Sequence, residues 1–173
     1  MYFAENMTPQ PGKTYAINQK GSDLVVTVNG QTVAMRHWEG LEAQKWKCVE
    51  KDGWLGFVSR ASAVNQDAYL GRDGNDSLVC LVSHHRDCEY SQVVLHDEGF
   101  AWEILNGDRL AFIGITVNGT GLKLLPKGTT WWGFTLIDGP TGSQPLGQPS
   151  HAPSTGTRSL SIDAPQMKLV VHW

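Results

Sequence analysis

Three turn triplets divide this chain at a nearly constant interval. They are Val28-Asn29-Gly30, Arg72-Asp73-Gly74 and Val117-Asn118-Gly119, and their glycines lie 44 and 45 residues apart. Asn-Gly and Asp-Gly pairs are favoured in tight turns between two strands, where the central residues need positive φ. Short apolar runs flank each triplet, for example residues 24–28 and 122–125. The sequence therefore predicts three hairpins in a chain built from three repeats.

A second marker follows each predicted hairpin. It consists of Trp46-Lys47-Cys48, Cys88-Glu89-Tyr90 and Trp132-Gly133-Phe134, whose first residues lie 42 and 44 apart. Its alternate residues are apolar, which is typical of a strand that buries one face. We expect the fourth strand of each repeat to start here, with Trp46, Cys88 and Trp132 at equivalent buried positions. The first strands are predicted at residues 14–18, at 54–59, and at either 100–105 or 109–113.

No segment has helical periodicity, so strand dominates the prediction. Three four-stranded units of this length cannot each bury a face alone, and stacking them around a pseudo-threefold axis solves that problem. The predicted fold class is all-β, a β-trefoil with a Pro/Gly-rich C-terminal extension.

Two resemblances support this fold. Gln44-Lys45-Trp46 resembles the Gln-x-Trp signature of ricin-B-type β-trefoils, with Cys88 and Trp132 at the corresponding positions of the other repeats. Residues 44–56, followed by residues 69–74, resemble fungal intracellular proteins of the fascin-like, actin-crosslinking-like kind. The resemblance covers residues 13–138.

Composition divides the chain into four parts. Residues 1–12 are predicted to be an N-terminal extension, 13–138 the trefoil domain and 139–158 a Pro/Gly/Ser-rich linker. Residues 159–173 contain apolar side chains that would be costly to leave in water. We expect this segment to dock, by adding a strand, by covering a pocket, or by pairing with a second copy in a homodimer.

Charge and hydropathy narrow the choice of partners. The net charge is −3 and no run of Lys or Arg provides the footprint needed for a phosphate backbone, so we expect no nucleic-acid partner. The N-terminus lacks a signal-peptide pattern, and no apolar stretch approaches the ~20 residues of a membrane span. We therefore expect no membrane partner and a cytoplasmic location. The three cysteines, Cys48, Cys80 and Cys88, are expected to be reduced thiols.

The resemblance to ricin-type trefoils implies carbohydrate recognition. Such a site needs an aromatic platform for a sugar face and polar groups for its hydroxyls. We therefore predict that the partner is a glycan or another small organic ligand in an aromatic-lined site. The candidate ligand-binding residues are His37, Trp38, Trp54, Arg72, Trp102 and Trp131.

A cofactor-independent enzyme is the alternative. The chain has no Ser/His/Asp triad spacing, P-loop or dinucleotide fingerprint, so no cofactor is expected. An aromatic pocket could still promote a cyclisation or isomerisation by orienting the reactant, as in a pericyclase of the hetero-Diels–Alder type in fungal natural-product biosynthesis. The candidate catalytic residues are His84, His85, His96 and Asp97.

Two further site types have some basis in the sequence. Cys80, His84, His85 and Cys88 fall within nine residues and could ligate zinc. The repeat pattern places both cysteines in the core, so no metal is expected. The fascin-like resemblance implies an actin-binding or protein-interaction module, although the chain lacks a basic surface suited to acidic actin.

Overall fold

A computed structural model describes residues 7–59, 61, 66–82, 84–128 and 130–137. Contacts divide the chain into two compact parts, Met1–Pro140 and Thr141–Trp173. The predicted linker (139–158) and docking segment (159–173) lie outside the described residues, and these domain boundaries stay predictions. No helix in the described ranges is long and apolar enough to cross a membrane.

The described part of Met1–Pro140 contains twelve strands and one short 3-10 helix. The strands are β1 (Thr14–Gln19), β2 (Leu24–Asn29), β3 (Thr32–His37), β4 (Trp46–Lys51), β5 (Trp54–Ser59), β6 (Ala68–Arg72), β7 (Leu78–Val82), β8 (Ser91–His96), β9 (Gly99–Asn106), β10 (Arg109–Ile115), β11 (Leu122–Leu125) and β12 (Trp132–Leu136). The 3-10 helix, Glu42–Gln44, precedes β4.

Six of the strands form a closed barrel. Strand β1 pairs with β4, β4 with β5, β5 with β8, β8 with β9, β9 with β12 and β12 with β1, all antiparallel. The remaining six strands form the hairpins β2–β3, β6–β7 and β10–β11. The hairpins touch one another through Thr32↔Val79, Ala34↔Gly121 and Ser77↔Lys123. The predicted β-trefoil is confirmed. Its three four-stranded units are β1–β4 (unit 1), β5–β8 (unit 2) and β9–β12 (unit 3).

Residues 7–12 of the predicted N-terminal extension are bonded to the barrel. The Met7 amide donates to the Phe134 carbonyl at 3.2 Å, and the Gly12 amide donates to the Cys48 carbonyl at 2.8 Å. The described end of this extension is therefore part of the folded unit.

Aromatic side chains fill the barrel. Phe57, Trp102 and Phe134 contact one another, with ring centroids 5.3 to 5.9 Å apart. Trp132 contacts Trp102 edge to face at 5.3 Å. Such pairs add to the free energy gained by burying the rings themselves. The core thus rests on side chains supplied by different repeats.

Trp46 and Trp132 occupy equivalent buried positions, as predicted. Each is the first residue of its unit's fourth strand and is fully buried. Their indole Nε1–H groups donate to the carbonyls of Val26 and Ile113 at 2.8 and 2.9 Å, which ties the barrel to the hairpins. These bonds satisfy the polar atom that burial of an indole removes from water.

The predicted equivalence of Cys88 is wrong. Pairing at the base of the barrel is Tyr15↔Trp46 in unit 1, Leu55↔Ser91 in unit 2 and Phe100↔Trp132 in unit 3. Ser91 is therefore the counterpart of the two tryptophans, and its hydroxyl donates to the Leu55 carbonyl at 3.1 Å. Cys88 lies three residues earlier, half-buried in the turn that precedes β8.

The three predicted hairpins are present, but their turns differ in conformation. Gly30 and Gly119 have positive φ values of 65° and 75°. In the second hairpin the left-handed residue is Asp76, with φ 59°, and Gly74 is not in that region. The Asp-Gly pair that has positive φ at both positions is Asp52-Gly53, between β4 and β5.

Candidate functional site

A cavity of about 320 Å³, here called the cavity of the third unit, lies between the β8–β9 hairpin and the segment that leads into β12. Most of its lining comes from unit 3, and Val94 and His96 come from β8, the last strand of unit 2. Apolar and aromatic side chains form most of its wall. It is lined by Val94, His96, Ala101, Glu103, Phe112, Gly128, Thr130 and Trp131. A concave, mainly apolar surface with a few polar groups is typical of small-molecule sites.

Because side chains alternate between the two faces of a strand, residues of β8, β9 and β10 meet on one wall of the cavity. Ala101 and Glu103 lie two residues apart on β9, so they share the face opposite Trp102. Glu103 pairs with Phe112 of β10, and Ala101 pairs with Val94 of β8. Three neighbouring strands therefore supply one continuous surface, while Trp102 points into the core.

Trp131 and His96 form the aromatic side of the cavity. Their ring centroids are 5.3 Å apart and the planes are tilted by 49°. The Trp131 carbonyl accepts a 2.9 Å hydrogen bond from the Lys20 amide, which fixes the backbone next to β1. Gly99 lies beside Trp131, and a Cβ there would be 3.2 Å from the Trp131 Cβ. The small residue makes room for the indole.

The polar groups of the cavity are few and partly held in place. Gln92 Nε2 donates a hydrogen bond to Glu103 Oε2. The Thr130 hydroxyl accepts a 3.3 Å hydrogen bond from the Ile115 amide. A Cβ at Gly128 would lie 2.7 Å from Phe112 Cδ1, so only glycine lets the Phe112 ring lie there. The site offers one carboxylate, one hydroxyl and one imidazole beside two aromatic rings.

The first unit places His37 and Trp38 on a separate surface. His37 Nδ1 and Asp23 Oδ2 are 2.9 Å apart, and both side chains are exposed. The hydrogen bond from His37 lowers the pKa of Asp23 below its usual value. The Trp38 amide donates to the Asp23 carbonyl at 3.1 Å. A ligand role for His37 and Trp38 stays a prediction.

The glutamine of the Gln-x-Trp motif organises the loop beside this surface. Gln44 is buried, its Oε1 accepts from the Glu39 and Leu41 amides, and its Nε2 donates to the His37 carbonyl at 2.7 Å. This side chain therefore closes the loop between β3 and β4. His37 and Glu39 also line an open groove of about 660 Å³ that reaches Thr120.

The second unit holds the other predicted ligand-binding residues. Trp54 is half-buried and stacks on Tyr90, with parallel rings 5.9 Å apart. Arg72 is also half-buried, and its Nε donates to the Leu105 carbonyl at 2.9 Å. Trp102 is 1% exposed. Its ring packs against other aromatic rings of the barrel core and is not on a surface that a ligand could contact.

The four predicted catalytic residues do not form one site. His84 is exposed, whereas His85 is 6% exposed and its Nε2 lies 3.2 Å from the Leu55 carbonyl. Desolvation by burial lowers the pKa of His85 below its usual value. His96 is the last residue of β8, about 16 Å along the strand from its first residue at ~3.3 Å per residue, and Asp97 follows in the turn to β9. Only His96 lines the cavity.

The described residues contain no group of three or more His, Cys, Asp or Glu side chains arranged to hold a metal ion. Burial raises the pKa values of Cys48 and Cys80 to about 12. Cys88 Sγ lies 3.0 Å from Glu89 Oε2, and burial is the main cause of its raised pKa. All three cysteines are free thiols.

Several residues of the cavity were not predicted from the sequence. Ala101 and Glu103 lie two residues apart on β9, so the alternation of side chains along a strand could have predicted that they share a face. Thr130 stands two residues before Trp132, as Gln44 stands two before Trp46, so the degenerate motif Thr130-Trp131-Trp132 could have identified it. Phe112 and Val94 carried no signal beyond their apolar character.

Comparison with solved structures finds the same fold in lectins. The Macrolepiota procera ricin B-like lectin in complex with lactose has a TM-score of 0.60 at 16% identity, over 75% of this chain and 99% of that chain. The Rhizoctonia solani agglutinin has a TM-score of 0.57 at 19% identity, over 74% and 97%. The β-trefoil lectin of Vibrio vulnificus hemolysin/cytolysin, with N-acetyl-D-lactosamine bound, has a TM-score of 0.56 at 14% identity, over 72% and 94%.

These likenesses establish the β-trefoil fold shared with ricin B-like lectins. No family model matches the sequence, and no curated protein matches it.

Proposed function

We propose that this protein binds carbohydrate, with a galactose-terminated sugar held against Trp131 in the cavity of the third unit. The observation that carries the proposal is the aromatic cavity itself, with Trp131 and His96 on one side and Glu103 and Thr130 at its polar positions. The trefoil lectins from Macrolepiota procera and Vibrio vulnificus were solved with lactose and N-acetyl-D-lactosamine, two galactose-terminated sugars.

The chemistry of the cavity suits such a ligand. A pyranose ring has an apolar face of C–H groups, and an indole ring offers a rigid apolar area to cover it. The hydroxyl groups at the sugar's edge need hydrogen-bond partners once they leave water. Glu103 accepts hydrogen bonds, while Thr130 and His96 each offer a polar group that such hydroxyls can pair with. The sugar would thus exchange its water contacts for matched contacts in the cavity.

The test is a calorimetric titration with lactose and with N-acetyllactosamine. Wild-type protein is expected to bind, and Trp131→Ala is expected to bind about tenfold more weakly, since an aromatic contact of about 1.4 kcal/mol corresponds to that factor. Lys45→Ala is the matched control, because Lys45 stands at the same position of the first unit. If Trp131→Ala binds with unchanged affinity, the sugar does not contact Trp131 in this cavity. If the wild type shows no binding to either sugar, the proposed function is wrong.

Catalysis in the same cavity is the second candidate. His96 and Glu103 are two groups able to transfer protons, and both line one mainly apolar cavity. Recording the NMR spectrum of the sugar after prolonged incubation distinguishes the two candidates: an unchanged sugar indicates binding alone, and a new species indicates turnover.

The actin-binding alternative stays a prediction, tested by co-sedimentation with actin filaments.

A further inference from the structure

The residue that contributes the aromatic platform has counterparts in the other two units. Trp131 directly precedes Trp132, Tyr90 precedes Ser91 and Lys45 precedes Trp46. Trp132, Ser91 and Trp46 make the equivalent pairings at the base of the barrel. Trp131, Tyr90 and Lys45 therefore stand at one pseudo-equivalent position, which is aromatic in units 2 and 3 only.

The neighbours of this position follow the same register. At the junction of units 2 and 3, His96 of β8 pairs with Gly99 of β9. At the junction of units 1 and 2, Lys51 of β4 pairs with Trp54 of β5. The junction of units 1 and 2 thus has an indole at the position of Gly99, and an amine at the position of the His96 imidazole.

The second unit builds a defined aromatic ledge from these residues. The Trp54 and Tyr90 rings are parallel within 3° and 5.9 Å apart, and both side chains are half-buried. The Tyr90 hydroxyl donates to Asp52 Oδ2 at 3.3 Å. On its inner side, Tyr90 contacts the buried ring of His85 edge to face at 4.9 Å. The Tyr90 ring therefore packs against the buried His85, while part of the surface of the Trp54 and Tyr90 rings stays in contact with solvent.

We propose that Trp54 and Tyr90, with Asp52 at their edge, form a second carbohydrate site, so that each chain binds two sugars. This inference rests on the proposed function and extends it to a second location. The ledge offers what the cavity offers: an aromatic surface for the apolar face of a pyranose, and a carboxylate for its hydroxyls. The carboxylate also disfavours phosphate-bearing ligands, because like charges repel.

The first unit differs at both positions of the ledge. Its counterpart of Tyr90 is Lys45, whose Nζ is paired with Glu42 Oε1, and its counterpart of Trp54 is Thr14. Neither residue can supply a ring. The structure therefore assigns two sites of this kind, one on unit 2 and one on unit 3, and predicts a bivalent protein.

Stoichiometry measured with lactose tests the second site. Wild-type protein is expected to bind two lactose molecules, and Trp54→Ala and Trp131→Ala are each expected to bind one. Tyr90→Phe keeps the stack but removes the bond to Asp52, so it is expected to keep two sites with weaker affinity at one of them. Thermal unfolding of each variant checks that the fold is intact.

The outcomes separate this inference from the proposed function. A wild-type stoichiometry of one that Trp131→Ala abolishes and Trp54→Ala leaves unchanged overturns the second site while the proposed function stands. Two sites that both persist in Trp54→Ala also overturn it. No lactose binding by the wild type removes the proposed function, and the second site with it.

Discussion

His85 is a titratable side chain that the fold keeps almost entirely out of water. Its Nε2 faces the Leu55 carbonyl, and its Nδ1 has no hydrogen-bond partner among the described residues. A Cβ at Gly56 would lie 2.6 Å from His85 Nε2, so the imidazole rests directly on strand β5. Protonation would place a charge on a side chain that is 6% exposed, where little water can solvate it. Burial accordingly lowers its pKa, as described above.

This gives a pH dependence with a definite sign. Because the folded-state pKa of His85 lies below the unfolded value of 6.5, the unfolded chain binds the proton more tightly. Stability contributed by neutral His85 is complete above about pH 6.5 and is lost as the pH falls through the folded-state pKa. Glu89 and Lys51, which also face this ring, act on its pKa in opposite directions.

The measurement is urea unfolding of wild type, His85→Gln and His84→Gln between pH 7.5 and pH 5. His85→Gln is expected to lose the part of the pH dependence that wild type shows in this range. His84→Gln, at an exposed neighbouring position, is expected to keep it. If the free energy of unfolding depends on pH in the same way in wild type and His85→Gln, the burial of His85 does not cause the pH dependence.

At the level of single residues, the sequence pattern identifies a large buried side chain reliably. It is less reliable in finding the residue that occupies the equivalent position of another repeat. The positions of Trp46 and Trp132 are predicted correctly because an indole in a run of alternating apolar residues is typical of a core strand. Ser91 is missed because a small polar residue at a core position has no signature, and Cys88, three residues away, is a more apolar match. The ligand contact predicted for Trp102 is wrong because alternation does not show which face of a strand is inside a barrel.

The core and the candidate site meet at the start of strand β12. Trp132 and Phe134 point into the barrel, and the residue before the strand, Trp131, lines the cavity. Core and site are therefore adjacent but carried by different side chains, so their contributions can be separated by substitution.

Trp132→Ala is expected to lower the free energy of unfolding by about 3–5 kcal/mol, the range seen for large aromatic side chains removed from a core. The substitution empties a fully buried site and leaves the Ile113 carbonyl without its indole donor. Chemical denaturation measures the loss. Trp54→Ala, at a half-buried surface position, is the control and is expected to lose less. A Trp132→Ala variant as stable as the wild type would show that the tryptophan is not part of the core.

Whole-strand predictions succeed where turn chemistry and alternation agree. The hairpins around residues 30, 74 and 119 are all present, and β5 has the predicted bounds, Trp54–Ser59. The first strand of unit 3 is β9, while the alternative at 109–113 belongs to β10. Both segments are apolar, and only the pairing of β9 with β12 decides between them. That pairing depends on contacts between residues far apart in sequence, which local patterns do not contain.

For the molecule as a whole, the twelve strands of the trefoil and the eight cavity residues named above all lie between residues 14 and 136. A chain shortened to residues 1–140 is therefore expected to unfold cooperatively and to bind lactose as the full chain does. Circular dichroism and calorimetric titration of the two proteins measure this. Loss of binding with an intact fold would support the sequence expectation that residues 159–173 take part in the site, and loss of folding would give those residues a structural role.

The most direct test of the central claim is a ¹H–¹⁵N spectrum of the indole groups during a lactose titration. The seven tryptophans differ in setting, and Trp46 and Trp132 have their Nε1–H groups bonded inside the fold. Lactose is predicted to shift the indole resonance of Trp131 most strongly and to leave those of Trp46 and Trp132 unmoved. A Trp131 resonance that stays in place at saturating lactose would contradict a carbohydrate site in the cavity of the third unit.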